Sequence, residues 1–242
     1  MGFVLVLALP TGVLIGAIGI GGVLLPPALI WLGGLDPHAA AGTSTFAFLF
    51  TGLVGTIAYA RRGAMPWRFA GWLTVGAAPA AAAGALVNGI APAIVLHLVL
   101  ALVTAGSGIF NLVSHPASGR RGLPAPAAVA IGAVVGFGSA LTGTGGPVLL
   151  VPGLLALGVE PLLTVAAGQL ISLPLVAFAS LGYASSSLVH YRLAAALGAL
   201  AAVGVVAGAA LAHRLPRRHL HRIASGTLVA VGAFTLVAAL TT

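Results

Sequence analysis

Gly19-Ile20-Gly21-Gly22 breaks a long apolar run near the start of the chain, and Gly143-Thr144-Gly145-Gly146 breaks another one 124 residues later. At the same offset Asp36-Pro37 matches Glu160-Pro161, Tyr59 matches Tyr183, and Trp67-Arg68 matches Tyr191-Arg192. Between these anchors Gly42-Thr43 matches Gly168-Gln169 at an offset of 126, which reads as a two-residue insertion in the second copy. The chain is an internal duplication. In a membrane protein, glycine-interrupted apolar segments at corresponding places of two halves point to a transport site.

Composition sets that membrane context. Hydrophobic residues make up 60% of the 242, charged residues 5%, and mean hydropathy is +1.18. Such a chain cannot cover itself with polar surface, so a soluble globular domain is excluded. The apolar stretches are near twenty residues long and do not alternate with polar ones, which selects helices over an outer-membrane barrel. With no cysteine, disulfides, thiolate metal sites and cysteine nucleophiles are excluded. The net charge of +8 comes from ten arginines and no lysine. These lie in short loops between apolar spans, so they read as topology determinants and not as a nucleic-acid surface. Neither a removable signal peptide nor a myristoylation site is expected at the start, where residue 6 is Val.

The spans read as 3–33 (broken at Gly19 to Gly22), 39–60, 67–88 and 93–112, then 127–158 (broken at Gly143 to Gly146), 163–187, 193–212 and 222–240. Residues 3–18 give a helix of about 24 Å and 23–33 one of about 16 Å, too short to cross a core of about 30 Å alone. The broken segment is therefore either a hairpin that enters and leaves on one side or one discontinuous crossing. With hairpins, Arg61, Arg62, Arg68, Arg120, Arg121, Arg214, Arg217, Arg218 and Arg222 share one side, and Arg192 alone lies opposite. Single crossings would split them six against four. The positive-inside rule selects the hairpins and puts both termini outside.

Three full crossings per half invert the second half relative to the first. The expected fold is an all-α polytopic membrane protein of two inverted repeats, each a re-entrant, broken helical hairpin plus three transmembrane helices. Residues 1–114 form the first repeat, 115–126 a cytoplasmic linker, and 127–242 the second repeat.

A helix broken at mid-membrane exposes backbone groups that lipid cannot satisfy. The half-helices starting after Gly22 and Gly146 would aim free N–H groups and positive dipole ends at the bilayer centre, an anion site without a buried arginine. The packing alternative, small residues that only bring helices together, is outweighed by two matched copies, each followed by proline (Pro26 and Pro27; Pro147 and Pro152). Candidate binding residues are Gly19, Gly21, Gly22, Thr43, Ser44, Thr142, Thr144, Gly145, Gly146 and Gln169. The hydroxyls and the amide can donate to oxyanion oxygens. Against this stands back-bonding of Ser and Thr to the preceding helical turn. Ser172 is in a similar position to Gln169, whose amide needs a partner in hydrocarbon.

Asp36 and Glu160, the only acids, read as helix N-caps, with proton coupling as the sharper alternative. Asn88 and Asn111 read as caps at helix ends, and His97 as a structural histidine that could titrate near neutral pH. His213, His219 and His221 read as a solvated or headgroup-facing cluster, and Trp31, Trp67 and Trp72 as interfacial anchors. No catalytic or metal-ligating constellation is present in the sequence, no cofactor is expected, and the glycine runs lack the parallel-sheet context of a dinucleotide fingerprint.

The stretch from Gly19 through Pro27, Gly42-Thr43-Ser44 and Tyr59 to Trp67 resembles the TauE/SafE family of sulfite and sulfonate exporters. So does its second copy, Gly143 to Pro152, Gly168 and Tyr183. The resemblance implies a multi-pass protein of the bacterial inner membrane. Its cargo would be a small sulfur-containing anion such as sulfite or sulfoacetate, moved outward by alternating access. The partners expected are that anion, the lipid bilayer and possible homodimer contacts, with no nucleic acid. An anion channel filtered by the hairpin tips is the competing class.

Overall fold

The computed structural model describes residues 2–113, 119–184 and 187–212, together with residues 226, 229, 230, 233, 236 and 237. Among the described residues the regular structure is helical, with one isolated backbone bridge. α1 spans Gly2–Ile18. After the first glycine break, α2 (Gly21–Leu32) opens as a tight 3-10 turn and closes as a wide π turn. Pro26 and Pro27, which have no N–H to donate, stand at its centre. The chain continues through α3 (Pro37–Ala60), α4 (Trp67–Ile90) and α5 (Ala93–Val113). The second half repeats the series as α6 (Ala125–Thr142), α7 (Gly146–Ala156), α8 (Pro161–Ala184) and α9 (Tyr191–Ala212). The last expected span lies mostly outside the described residues. So do Arg214, Arg217, Arg218, Arg222, the three histidines among them, and the Asn111 side chain.

Five helices, α3, α4, α6, α8 and α9, are long and apolar enough to cross a membrane. Leu53 and Ile57, Val75 and Leu86, Val134, Val203 and Val206 are exposed along them, an apolar exterior of the kind lipid requires. Trp67 and Trp72 stand exposed at the start of α4. Asp36 caps α3 as expected: its carboxylate accepts from the N–H groups of His38 at 3.0 Å and Ala39 at 3.1 Å, with Pro37 in the first turn.

Both glycine breaks reverse the chain. A straight helix would carry residue 21 about 15 Å beyond residue 11. Instead, a methyl group built on Gly21 would collide with the Thr11 carbonyl and lie 2.8 Å from the Ile15 nitrogen, so α2 folds back along α1. In the second half Ser139 Oγ donates to the Gly145 carbonyl at 3.0 Å, and Leu149 comes back over Gly138. Gly19, Gly143 and Gly145 make these turns with φ of 78°, 69° and 78°, a region only glycine enters cheaply. Of the two local arrangements that the sequence allows, the hairpin is the one adopted.

The offset of 124 extends into the hydrogen bonds. Tyr59 on α3 donates its hydroxyl to the Gly16 carbonyl at 3.0 Å, and Tyr183 on α8 donates to the Ala140 carbonyl. Each tyrosine thus ties a hairpin to the next helix of its own half, three residues before the break. α3 and α8 each run 24 residues from Pro37 and Pro161, so the expected two-residue insertion is absent. Gln169 stands opposite Thr45, not Thr43.

Packing crosses the midpoint of the sequence. α1 lies along α9 and α4 along α6, and α3 and α8 touch each other while contacting α9 and α4 respectively. Small residues set the approach. Methyl groups on Gly12 and Gly16 would strike the backbone at Ala201 and Val205, and methyl groups on Gly132 and Gly136 the backbone at Leu73 and Ala77. In the connection before α6, the Arg120 backbone pairs with Gly158 at 2.9 Å and Glu160 at 3.0 Å, joining it to the α7–α8 loop.

Candidate functional site

The two hairpin tips meet inside the protein. Residues 19–23 and 139–148 are buried throughout, so the broken backbone is enclosed by protein and not offered to lipid. Gly22 abuts the Thr144 carbonyl. One ring separates the tips elsewhere: a methyl group on Gly22 would lie 3.2 Å from Phe48 Cζ, and one on Gly145 would lie 3.0 Å from Phe48 Cδ2. Phe48, buried on α3, thus touches both breaks. Pattern reading missed it, since one phenylalanine in an apolar helix carries no signal.

The helices that start at the tips supply polarity without charge. The first N–H groups of α2, from Gly21, and of α7, from Gly146, have no partner within their own helix. Pro147 removes one such donor from α7.

Side chains pin each tip to the opposite half. Ser44 on α3 has one hydroxyl proton, shared between the Gly143 carbonyl at 2.8 Å and the carbonyls of its own helix, Ala40 at 2.8 Å and Ala41 at 3.1 Å. Gln169 on α8 donates through Nε2 to the Ile15 carbonyl at 3.1 Å, which already accepts from the Gly19 N–H at 2.9 Å. The Gln169 carboxamide packs on Gly55, where a methyl group would displace it. These two bonds are cross-half latches at comparable heights on α3 and α8.

The remaining candidates divide by where their protons go. Thr142 Oγ1 donates to the Gly138 carbonyl at 2.8 Å, so in the 3.0 Å contact between Thr142 and Thr144 the proton belongs to Thr144. Ser172 bonds back to Gly168 at 2.8 Å. Thr43 Oγ1 accepts from the His190 N–H at 3.1 Å, which fixes the start of α9. Thr45 is buried, with its side chain against the Tyr183 hydroxyl. Hydroxyl donors of the second tip are therefore spent within that hairpin, while the proton of Thr43 on α3 has no acceptor among the described residues.

Asn88 departs from the capping role expected of it. It is fully buried, and Nδ2 donates to the Leu141 carbonyl at 2.8 Å, the residue before Thr142 at the second tip. The end of α4 is closed instead by the Ala91 N–H on Val87. His97 stacks on Trp31 with ring centroids 5.9 Å apart, so Trp31 packs as a partner of α5. Among the described residues no three His, Asp or Glu side chains gather as metal ligands.

Comparison with known proteins agrees with the residues that suggested a family. The family model for the sulfite exporter TauE/SafE matches residues 3–235, nearly the whole chain. No curated protein matches the chain. No solved structure matches it either. Paired glycine breaks, all-helical architecture and a full-length match to the family model lead to one assignment: this multi-pass membrane protein belongs to the sulfite exporter TauE/SafE family.

Proposed function

We propose that the protein exports a small sulfur-containing anion, sulfite or an organosulfonate such as sulfoacetate, across a bacterial inner membrane by alternating access. The observation that carries this reading is the meeting of two buried, uncharged hairpin tips around Phe48. Helix starts with free N–H groups favour an anion over a cation. In this reading Gly19, Gly21 and Gly22 on one side and Gly145 and Gly146 on the other bring backbone close to the cargo. Thr43, Ser44, Thr142, Thr144 and Gln169 surround it or hold the tips that do.

The two halves, 1–114 and 127–242 joined by the linker 115–126, are inverted repeats with both termini outside. Inversion provides the mechanism: two conformations of similar energy arise by exchanging the roles of the halves. The tyrosine bonds stay within a half and persist. The Ser44 and Gln169 latches run between halves and must be remade when one half rocks against the other. An anion leaving a cell that is negative inside moves downhill by about 2.3 kcal/mol per charge per 100 mV.

The test is purified protein in liposomes, with uptake of radiolabelled sulfite, sulfoacetate, thiosulfate and sodium. Saturable flux of one sulfur anion with counterflow is the expected result. Unitary currents would replace the carrier with a channel, and absence of anion flux would reduce the glycine breaks to a packing device.

A further inference from the structure

A small cavity lies beside the tips. Pro26 and Ile30 of α2, Ala41 of α3, Asn88 of α4, His97 of α5 and Thr142 of the second tip are among the residues that line it. It has room for about one water. Two of its lining side chains keep a buried polar atom with no hydrogen-bond partner among the described residues: Asn88 Oδ1 and His97 Nε2. With Asn88 Nδ2 committed to Leu141, its Oδ1 can only accept. An unsatisfied buried acceptor is costly and calls for a donor.

We propose that this cavity is a proton-binding site, in which His97 takes up a proton and Asn88 Oδ1 accepts, through one bridging water, from the protonated ring, so that proton movement is coupled to anion movement. The inference rests on the transporter reading above. An alkali or divalent cation fits poorly, because no carboxylate lines the cavity and one amide oxygen cannot replace a hydration shell. An anion fits poorly because the free amide atom is an acceptor.

The walls explain the coupling. They come from the return arm of the first hairpin and the tip of the second, so rocking one half against the other resizes the cavity. An imidazolium is held better by whichever arrangement admits more water, and by linkage the proton favours that arrangement in return. The surroundings leave few other groups to titrate. α5 packs against α3, α6 and α7. α6 and α7 contain no titratable residue, and α3 offers His38 and, at its far end, Tyr59. His38 Nδ1 sits 2.7 Å from the Asn88 backbone carbonyl, and the Asp36 carboxylate caps α3. α4 carries Arg68 at its opposite end.

The experiment uses the full chain in liposomes containing an entrapped pH-sensitive dye, driven with sulfite and, in parallel, with sulfoacetate, which does not titrate near neutral pH. Protons moved per anion are measured. Wild-type protein is expected to move protons with the anion, His97→Gln to lower the ratio at least tenfold, and His38→Gln to keep it. If His97→Gln moves no anion, Asn88→Asp decides. A carboxylate beside the ring favours its charged form, so the pH at which the ratio is half-maximal should rise by about one unit or more. Anion flux without proton movement in the wild type, an unchanged ratio in His97→Gln, or an unmoved midpoint in Asn88→Asp overturns the proton site alone. Absence of any anion flux overturns the transporter reading along with it.

Discussion

Single side chains decide how tightly the two tips are held apart. Phe48 is the only ring found against both glycine breaks among the described residues, so its removal should open a passage between them. Phe48→Ala is expected to turn saturable anion flux into a leak that rises linearly with concentration, while Phe48→Leu keeps saturation. A leu-like Michaelis curve for the alanine variant would show that the ring merely fills space. The loss of the phenyl group also costs about 3–5 kcal/mol of packing, and the leucine swap, which leaves a smaller void, costs less. Gln169→Leu removes the latch to Ile15 and should abolish transport with expression intact, and normal flux through that variant would remove Gln169 from the machinery. Tyr183→Phe, by contrast, loses one intra-half bond, and about 1 kcal/mol of thermal stability should go with it. At this scale the sequence was partly legible. Tyr59 and Tyr183 were marked by their spacing, and their bonds to Gly16 and Ala140 keep that spacing. Phe48 and Asn88 were not, because their partners lie far away in sequence and neither residue breaks a pattern.

The elements read more clearly than their contacts. Helix bounds fall within a few residues of the apolar spans, since about twenty residues must be apolar to cross a bilayer and few others are. The reversal at each break also followed from arginine placement, a signal independent of the glycines themselves. What failed was register inside α8: Gly168-Gln169 looked like Gly42-Thr43, yet both helices are 24 residues long and a chance dipeptide had suggested an insertion. A turn built on positive φ makes a sharp prediction. Gly143→Ala adds a Cβ in the left-handed region, at about 1–2 kcal/mol, and drives it into the Ala41 backbone, which cannot yield as a side chain would. The variant should lose both thermal stability and flux, whereas Gly71→Ala, where a methyl group meets nothing within 4 Å, should keep both. Equal stability of the two variants in detergent would contradict the hairpin geometry.

Across the whole molecule, the halves are interlocked and not set side by side. α1 finds its main neighbour in α9 and α4 finds its own in α6, through backbone-to-backbone contacts at Gly12, Gly16, Gly132 and Gly136. A first half expressed alone should therefore be digested rapidly by added protease, and co-expression with the second half should restore protection and transport. Protection of the isolated first half would mean that each repeat folds by itself. Sequence reading found two repeats but not their exchange of partners, because small-residue spacing identifies a helix face without saying which helix covers it.

That exchange of partners also sets a timetable. The ribosome finishes α1 at Ile18, yet the groove of α9 that receives it is not complete until Ala212. At about 5–20 residues per second, the first hairpin waits roughly 10–40 seconds for its permanent neighbour. During that interval the polar turn at Gly19 has to be sheltered by the insertion machinery or by a temporary companion helix. A nascent chain stalled before Tyr191 should leave a cysteine in place of Ala8, which is buried in the core with Leu197 and Ala201 of α9, open to alkylation, and one released after Ala212 should close it.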